Sequence, residues 1–304
     1  MNKSIFITGA NAGIGKDVAR QLALLDTTEK IYMGCRNMRK AETAKKELES
    51  ITGKDIFEIV QIDVSDLSSV RAAVKSLKEP FDALVMNAGG TGGKNFNEVN
   101  HNGVMQQFSV NVLGHVVLAE ELIKAGKLKK VALYAGSEAA RGVKSFGMKR
   151  PSFKSHSVEE FSSVVDGSFF GKNKDEMVPY GPVKYLAALW MASLSREYPE
   201  IRFITMSPGG TTGTEVANTL SPIKKTMMTG MMKMMEVFGR VHKLEVGARR
   251  FVDGINDPTL ESGVFYASKS GITGQIVDQG TLFNDFHNVV YQNNARESIH
   301  RFIN

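Results

Sequence analysis

The 304-residue sequence predicts an α/β fold, a doubly wound parallel sheet of about seven strands with helices on both faces. Three observations predict it. Short apolar runs alternate with segments of helical spacing, the pattern of βαβ crossovers in a sheet covered on both faces. The first run passes directly into a glycine-rich turn that opens a helix, the context in which such a turn has a mechanism. No repeat or low-complexity linker divides the chain, so residues 1–304 read as one domain.

The candidate strands are Ser4–Thr8, Lys30–Cys35, Ile56–Ile62, Ala83–Met86, Val131–Tyr134, Arg202–Met206 and Val264–Tyr266. Helical spacing runs over Gly15–Leu25, Met38–Ser50, Leu67–Leu77, Val99–Lys124 and Tyr180–Tyr198. Strand one leads into Thr8-Gly9-Ala10-Asn11-Ala12-Gly13-Ile14-Gly15-Lys16. Glycines at 9, 13 and 15 let the backbone of Asn11, Ala12 and Ile14 approach a pyrophosphate, which rests at the positive helix N-terminus. That makes the fold Rossmann-type and the ligand a dinucleotide. Strand two ends Gly34-Cys35-Arg36-Asn37. An acidic residue there would bind the ribose of NAD; Arg36 instead offers a guanidinium fork to a 2′-phosphate, which points to NADP(H). Strand three closes on Asp63-Val64, where the carboxylate accepts from an adenine amine or caps the next helix.

Two segments break the rhythm. Residues 138–179 form an insertion beside the expected active site, long enough to wall a pocket. A methionine-rich stretch within 210–240 reads as core or subunit packing, as a lid over an apolar ligand, or as a membrane-surface helix, the last disfavoured by too little cationic charge on a polar face. Just after the insertion, Tyr180 and Lys184 stand four apart, on one face of a helix. There an ammonium beside a phenol favours its ionised form, so that Tyr180 exchanges a proton with a carbonyl or alcohol oxygen. Pro182 lies between them; it is tolerated in a first turn, so the helix is expected to begin near Tyr180 or to kink.

These residues together resemble the short-chain dehydrogenase/reductase family. Thr8-Gly-x-x-x-Gly13-x-Gly15 resembles its cofactor turn, and Asn87-Ala88-Gly89 its signature after the fourth strand. Asn111, Ser137, Tyr180 and Lys184 fall in the order of its catalytic tetrad, and Pro208-Gly209 resembles the turn beside the nicotinamide. Cys35-Arg36-Asn37 and Asn111-Val-Leu-Gly114-His115 are similar to the branch of retinol dehydrogenases and protochlorophyllide reductases. The resemblance implies hydride transfer between nicotinamide and a carbonyl or alcohol carbon. Tyr180 would be the acid/base, Ser137 a hydrogen-bond partner of the same oxygen, and Lys184 the holder of the nicotinamide ribose. Asn111 would anchor a water that resupplies protons through Lys184, and Asn87 would brace the sheet. Asn37 joins the cofactor set beside Arg36. After Pro208-Gly209, one of Thr211, Thr212 and Thr214 would offer a hydroxyl to the cofactor amide or pyrophosphate, with Thr211 taken into the cofactor set. His115 reads as a satisfied core histidine. Departing readings are a non-catalytic NADP-binding regulator and a reductase of a carbon–carbon double bond.

Composition sets the outer bounds. With 42% hydrophobic and 23% charged residues, the chain is an ordinary globule. A net charge of +6 is scattered, without the basic stripe and aromatics of a nucleic-acid binder. The six histidines show no metal-ligand spacing, so no metal is expected. One cysteine, no leader segment and no span of about 18–20 apolar residues predict a cytoplasmic protein without a transmembrane segment. The partner is a small apolar carbonyl or alcohol, a guess resting on Phe146, Phe153, Phe169, Phe170 and the methionines. Homo-oligomers are common in the family.

Overall fold

A computed structural model describes residues 2–212 and 241–303. All of the 210–240 stretch but its first three residues lies outside them. One sheet runs in the order β3-β2-β1-β4-β5-β6-β7-β8. Its strands are β1 (Ser4–Thr8), β2 (Lys30–Cys35), β3 (Phe57–Gln61), β4 (Phe81–Met86), β5 (Leu128–Ala135), β6 (Arg202–Met206), β7 (Val264–Ser268) and β8 (Ile276–Asp278). The first seven pair in parallel; β8 runs antiparallel to β7. The sheet therefore has eight strands where about seven were expected. The extra one has three half-buried residues, too few to leave a periodic signal.

Alternation along each strand feeds two cores. Phe6, Tyr32, Leu84 and Met86 face one cluster, Ile5, Ile7, Met33 and Val85 the other. The second face carries α1 (Gly13–Ala23), α2 (Met38–Thr52) and a helix over Leu244–Asn256. The first carries α3 (Leu67–Ser76), then α4, which opens with Gln106–Phe108, passes through a π-turn at Ser109–Leu113 and finishes as Gly114–Lys124. It also carries α5 (Val158–Asp166), α6 (Met177–Glu197) and, with Leu244–Asn256 taken as α7, α8 (Val289–His300). Each fully buried Leu, Ile, Val or Phe contributes about 1.5–3 kcal/mol of transfer free energy to this packing.

Local chemistry explains several boundaries. Asn37 caps α2 by accepting from Lys40 N–H at 3.0 Å, and Asp66 caps α3. The Val99–Lys124 pattern yields a helix only from Gln106, because Asn100 closes a turn by accepting from the N–H groups of Asn102 and Val104. Helix α6 begins at Met177, not at Tyr180. Pro182 thus lies in its second turn, and the Val178 carbonyl loses the helical partner proline cannot supply. The 138–179 connection is built, not loose: α5 buries Phe161, Val164 and Val165 against the first core.

Candidate active site

The strand order reverses between β1 and β4, and the carboxyl ends of the parallel strands open there into a cavity of about 740 Å³. That is where a doubly wound sheet binds its ligand. Three strand spacings separate the end of β2 from that of β5, about 14 Å, a span suited to an extended dinucleotide.

The glycine turn fits a pyrophosphate. Gly9 holds φ +70°, and a Cβ on Gly15 would meet the Gly9 carbonyl oxygen at 2.4 Å, so both glycines serve the turn itself. Gly13, at φ +52°, has open space where a side chain would stand. Helix α1 starts there with Ala12 at its N-cap, no side-chain cap and no acid in the first turn, leaving its amide N–H groups for an anion. Gly9, Asn11, Ala12, Gly13 and Ile14 line the cavity; Gly15 supports from behind.

A buried hydrogen-bond set joins this turn to β4. Thr8 Oγ1 accepts from the N–H groups of Asn87 (2.9 Å) and Ala88 (3.0 Å) and meets His115 Nε2 at 3.0 Å. His115 Nδ1 bonds the Asn111 carbonyl at 2.9 Å and so carries the proton, leaving Nε2 to accept from Thr8. Burial, ahead of the nearby Lys184, pushes His115 down to about 4, so it is neutral. Asn87 Nδ2 donates to Thr8 O at 3.0 Å, bracing the sheet. Ala88 and Gly89 line the cavity beside it.

At the other strand ends, Arg36 and Asp63 face each other at 3.6 Å, with the Arg36 side chain 72% exposed. Asp63 also accepts from Ser65 N–H (3.0 Å) and Oγ (2.6 Å). It closes its own turn, while the cap of α3 is Asp66. Arg36, Asp63 and Val64 line the cavity; Asn37 faces its helix.

Ser137, Tyr180 and Lys184 meet at the far end of the same cavity. Ser137 sits just past β5, its hydroxyl accepting from Ala139 N–H at 3.2 Å. The Tyr180–Lys184 relation differs from the helix-face expectation. Lys184 donates to the Tyr134 hydroxyl (3.2 Å) and the Ala135 carbonyl (2.9 Å), and lies 5.6 Å from the Tyr180 ring centre. Burial pushes the Tyr180 phenol up to about 12, with a Ser137 hydrogen bond opposing, and pushes Lys184 down to about 7. Here the phenol is a held acid, not the lowered one the spacing suggested. Asn111 lies outside the cavity lining, fully buried. Its amide donates to Gly90 O (2.7 Å) and Gln107 O (2.8 Å) and accepts from Gly90 N–H (3.2 Å). The carbonyl freed by the π-turn accepts from Tyr134 Oη at 2.9 Å, where a water was expected to be held.

Pro208, Gly209 and Thr211 also line this end. Behind them is a buried network that sequence reasoning missed. Glu138 pairs with Arg250 at 3.7 Å and accepts from the hydroxyls of Ser207 and Ser268; Ser207 Oγ in turn accepts from Gly209 N–H at 3.2 Å. Only an acidic residue next to Ser137 could have hinted at it. The expected aromatic pocket is a correction. Phe153 stacks on Tyr185 at 5.3 Å, Phe169 and Phe170 pack beside it, and Phe146 joins Val143 and Ile272. None of the four lines the cavity. Among the described residues no cluster of His, Cys, Asp and Glu is arranged to hold a metal, and no helix is long and apolar enough to cross a membrane.

Comparisons with known proteins bear on the fold and on the part of the site before Ser137. A model of the short chain dehydrogenase family matches residues 3–132. Human retinol dehydrogenase 11 is 33% identical across 43% of this chain and 40% of its own length. Human 3-keto-steroid reductase/17-beta-hydroxysteroid dehydrogenase 7 is 31% identical across 40% of this chain and 45% of its own. The chain thus spans less than half the length of these relatives, and the matched family segment ends before Ser137. Solved folds extend further. A crystal structure of an uncharacterized protein from Mycobacterium paratuberculosis superposes with TM-score 0.71 at 20% identity, over 99% of this chain and 93% of that one. L-sorbose reductase from Gluconobacter frateurii, complexed with NADPH and L-sorbose, gives 0.63 at 19%, over 90% and 97%. Residues 3–132 thus resemble the short-chain dehydrogenase/reductase family, with retinol dehydrogenases among the similar proteins, and the solved structures share the fold of the whole chain.

Proposed function

We propose that the protein is an NADP(H)-dependent oxidoreductase that reduces a carbonyl, or oxidises the matching alcohol, of an apolar small molecule. One observation carries the reading: Ser137, Tyr180 and Lys184 share a cavity with the glycine turn and the exposed guanidinium of Arg36. When bound, the cofactor supplies or accepts the hydride. Arg36 would turn from Asp63 to a 2′-phosphate, and the α1 amides would take the pyrophosphate. Ser137, one lone pair of which accepts from Ala139 N–H, directs its hydrogen toward Tyr180 and would share it with the substrate oxygen beside that phenol. Tyr180 holds its proton to high pH, which suits donation to an oxygen gaining negative charge.

The apolar substrate rests on the relatives, named for retinol and keto-steroids, and not on the phenylalanines. The Met-rich lid and the single domain belong to the proposal as well. So does the cytoplasmic placement, which rests on a sequence whose single cysteine, Cys35, can form no internal disulfide.

The test is NADPH consumption with retinal, keto-steroids and small ketones, beside Tyr180→Phe. Turnover by wild type and a loss of about 100-fold or more in kcat, with NADPH binding kept, is the expected result. NADPH binding without turnover of any carbonyl would leave a nucleotide-binding regulator.

A further inference from the structure

Lys184 has three hydrogens to donate, and the fold has already placed two. One goes to the Tyr134 hydroxyl and one to the Ala135 carbonyl, so a single N–H is left for the cavity. Tyr134 is itself fixed. Its ring is fully buried, edge-on to His115 (6.0 Å, 80°) and Trp190 (6.5 Å, 87°), and lies 4.8 Å beneath the ammonium. The hydroxyl hydrogen goes to the Asn111 carbonyl, and that oxygen's second lone pair takes His115 Nδ1–H. A carbonyl has no proton to pass on, so the hydrogen-bond chain inward from Lys184 stops there.

We propose that Tyr134 is a positioning residue for the reaction: it holds Lys184 with one N–H toward the cavity and closes the inward route, so that Tyr180 recovers its proton from the cavity side. The place expected for a water between Asn111 and Lys184 is filled by a side chain. The inference rests on the roles proposed above for Tyr180 and Lys184. Three titratable groups lie around the ammonium, Tyr134 from β5, His115 from α4 and Tyr180 from its own helix; Glu138, just past β5, acts on Tyr180. Burial already opposes charge on Lys184, so removing an acceptor moves its titration further toward acid.

Tyr134→Phe keeps the ring and deletes the hydroxyl. Two readouts are taken: NADPH affinity across pH by fluorescence titration, and kcat and KM for carbonyl reduction. The expected result is a midpoint of the binding pH profile shifted to lower pH, with kcat down about tenfold and KM within about threefold. In wild type, rates in H₂O/D₂O mixtures are expected to vary linearly, for one proton in transit; a curved dependence overturns the closed route. A Tyr134 that merely fills space lowers the melting temperature while midpoint and kcat stay put, and that overturns the positioning role. Should Tyr134→Phe not fold, Tyr134→Met, an adaptable filler without a donor, makes the same comparison. If wild type binds NADPH but reduces no carbonyl, the functional reading fails, and the binding midpoint still decides on Tyr134.

Discussion

On the proposed function, Arg36 is the residue on which cofactor choice turns. It stands 72% exposed at the end of β2, with Asp63 as its partner at 3.6 Å. An exposed pair at that distance is worth about 0–1 kcal/mol, so little holds the guanidinium back from a phosphate. Arg36→Ala is expected to weaken NADPH binding about 10- to 100-fold, as charge-assisted bonds to a phosphate do, and to leave NADH almost unchanged. Titrating both cofactors measures it; equal losses would show that Arg36 does not read the 2′-phosphate. The cavity-lining side chains were legible because their chemistry is local, to a strand end for Arg36 and Ser137 and to one helix for Tyr180 and Lys184, and all four line one space. The roles of Tyr134, Glu138 and Arg250 were not, because they depend on which neighbour a buried group meets across the sheet. The i, i+4 rule put Tyr180 and Lys184 on one face but could not say that the ammonium turns to Tyr134.

Helix α4 shows how an element is fixed by one atom. A Cβ on Gly114 would lie 1.7 Å from the Val64 carbonyl oxygen, so the helix docks against the turn after β3 only with a bare backbone. Gly114→Ala is expected to cost about 3 kcal/mol or more, since backbone on both sides must shift. Chemical denaturation checks it; a loss below about 1 kcal/mol would mean the contact relaxes easily. Strands and the first three helices were readable from periodicity and caps. Helix α5 was not: its Ser-rich sequence carries only Phe161, Val164 and Val165 on one face, a pattern too brief to separate from a loop. Nor was the start of α6, where Asp175 accepts from Met177 N–H at 2.9 Å and sets the first turn ahead of Tyr180.

At the scale of the molecule, His115 ties the two halves of the sheet at the switch point. Its folded-state value is depressed from 6.5 to about 4 by burial. The unfolded chain therefore binds more protons between those values, and this stability is full above pH 6.5 and drains away as the pH falls toward 4. The contribution is about 3 kcal/mol. His115→Gln is expected to flatten that part of the unfolding free energy against pH; an unchanged slope would place the acid sensitivity elsewhere. The doubly wound architecture was legible because alternating crossovers admit few other topologies. The eighth strand was not, being a three-residue return after the last crossover.

That short return has its own consequence. It runs against β7 and closes the margin of the sheet with three residues, while the opposite margin, β3, displays Glu58 and Gln61. Neither border offers a long bare ladder for a second chain to extend. Among the described residues the helical flanks are the broader surfaces, so if copies of this protein assemble, substitutions there are expected to disturb association more than those on the border strands.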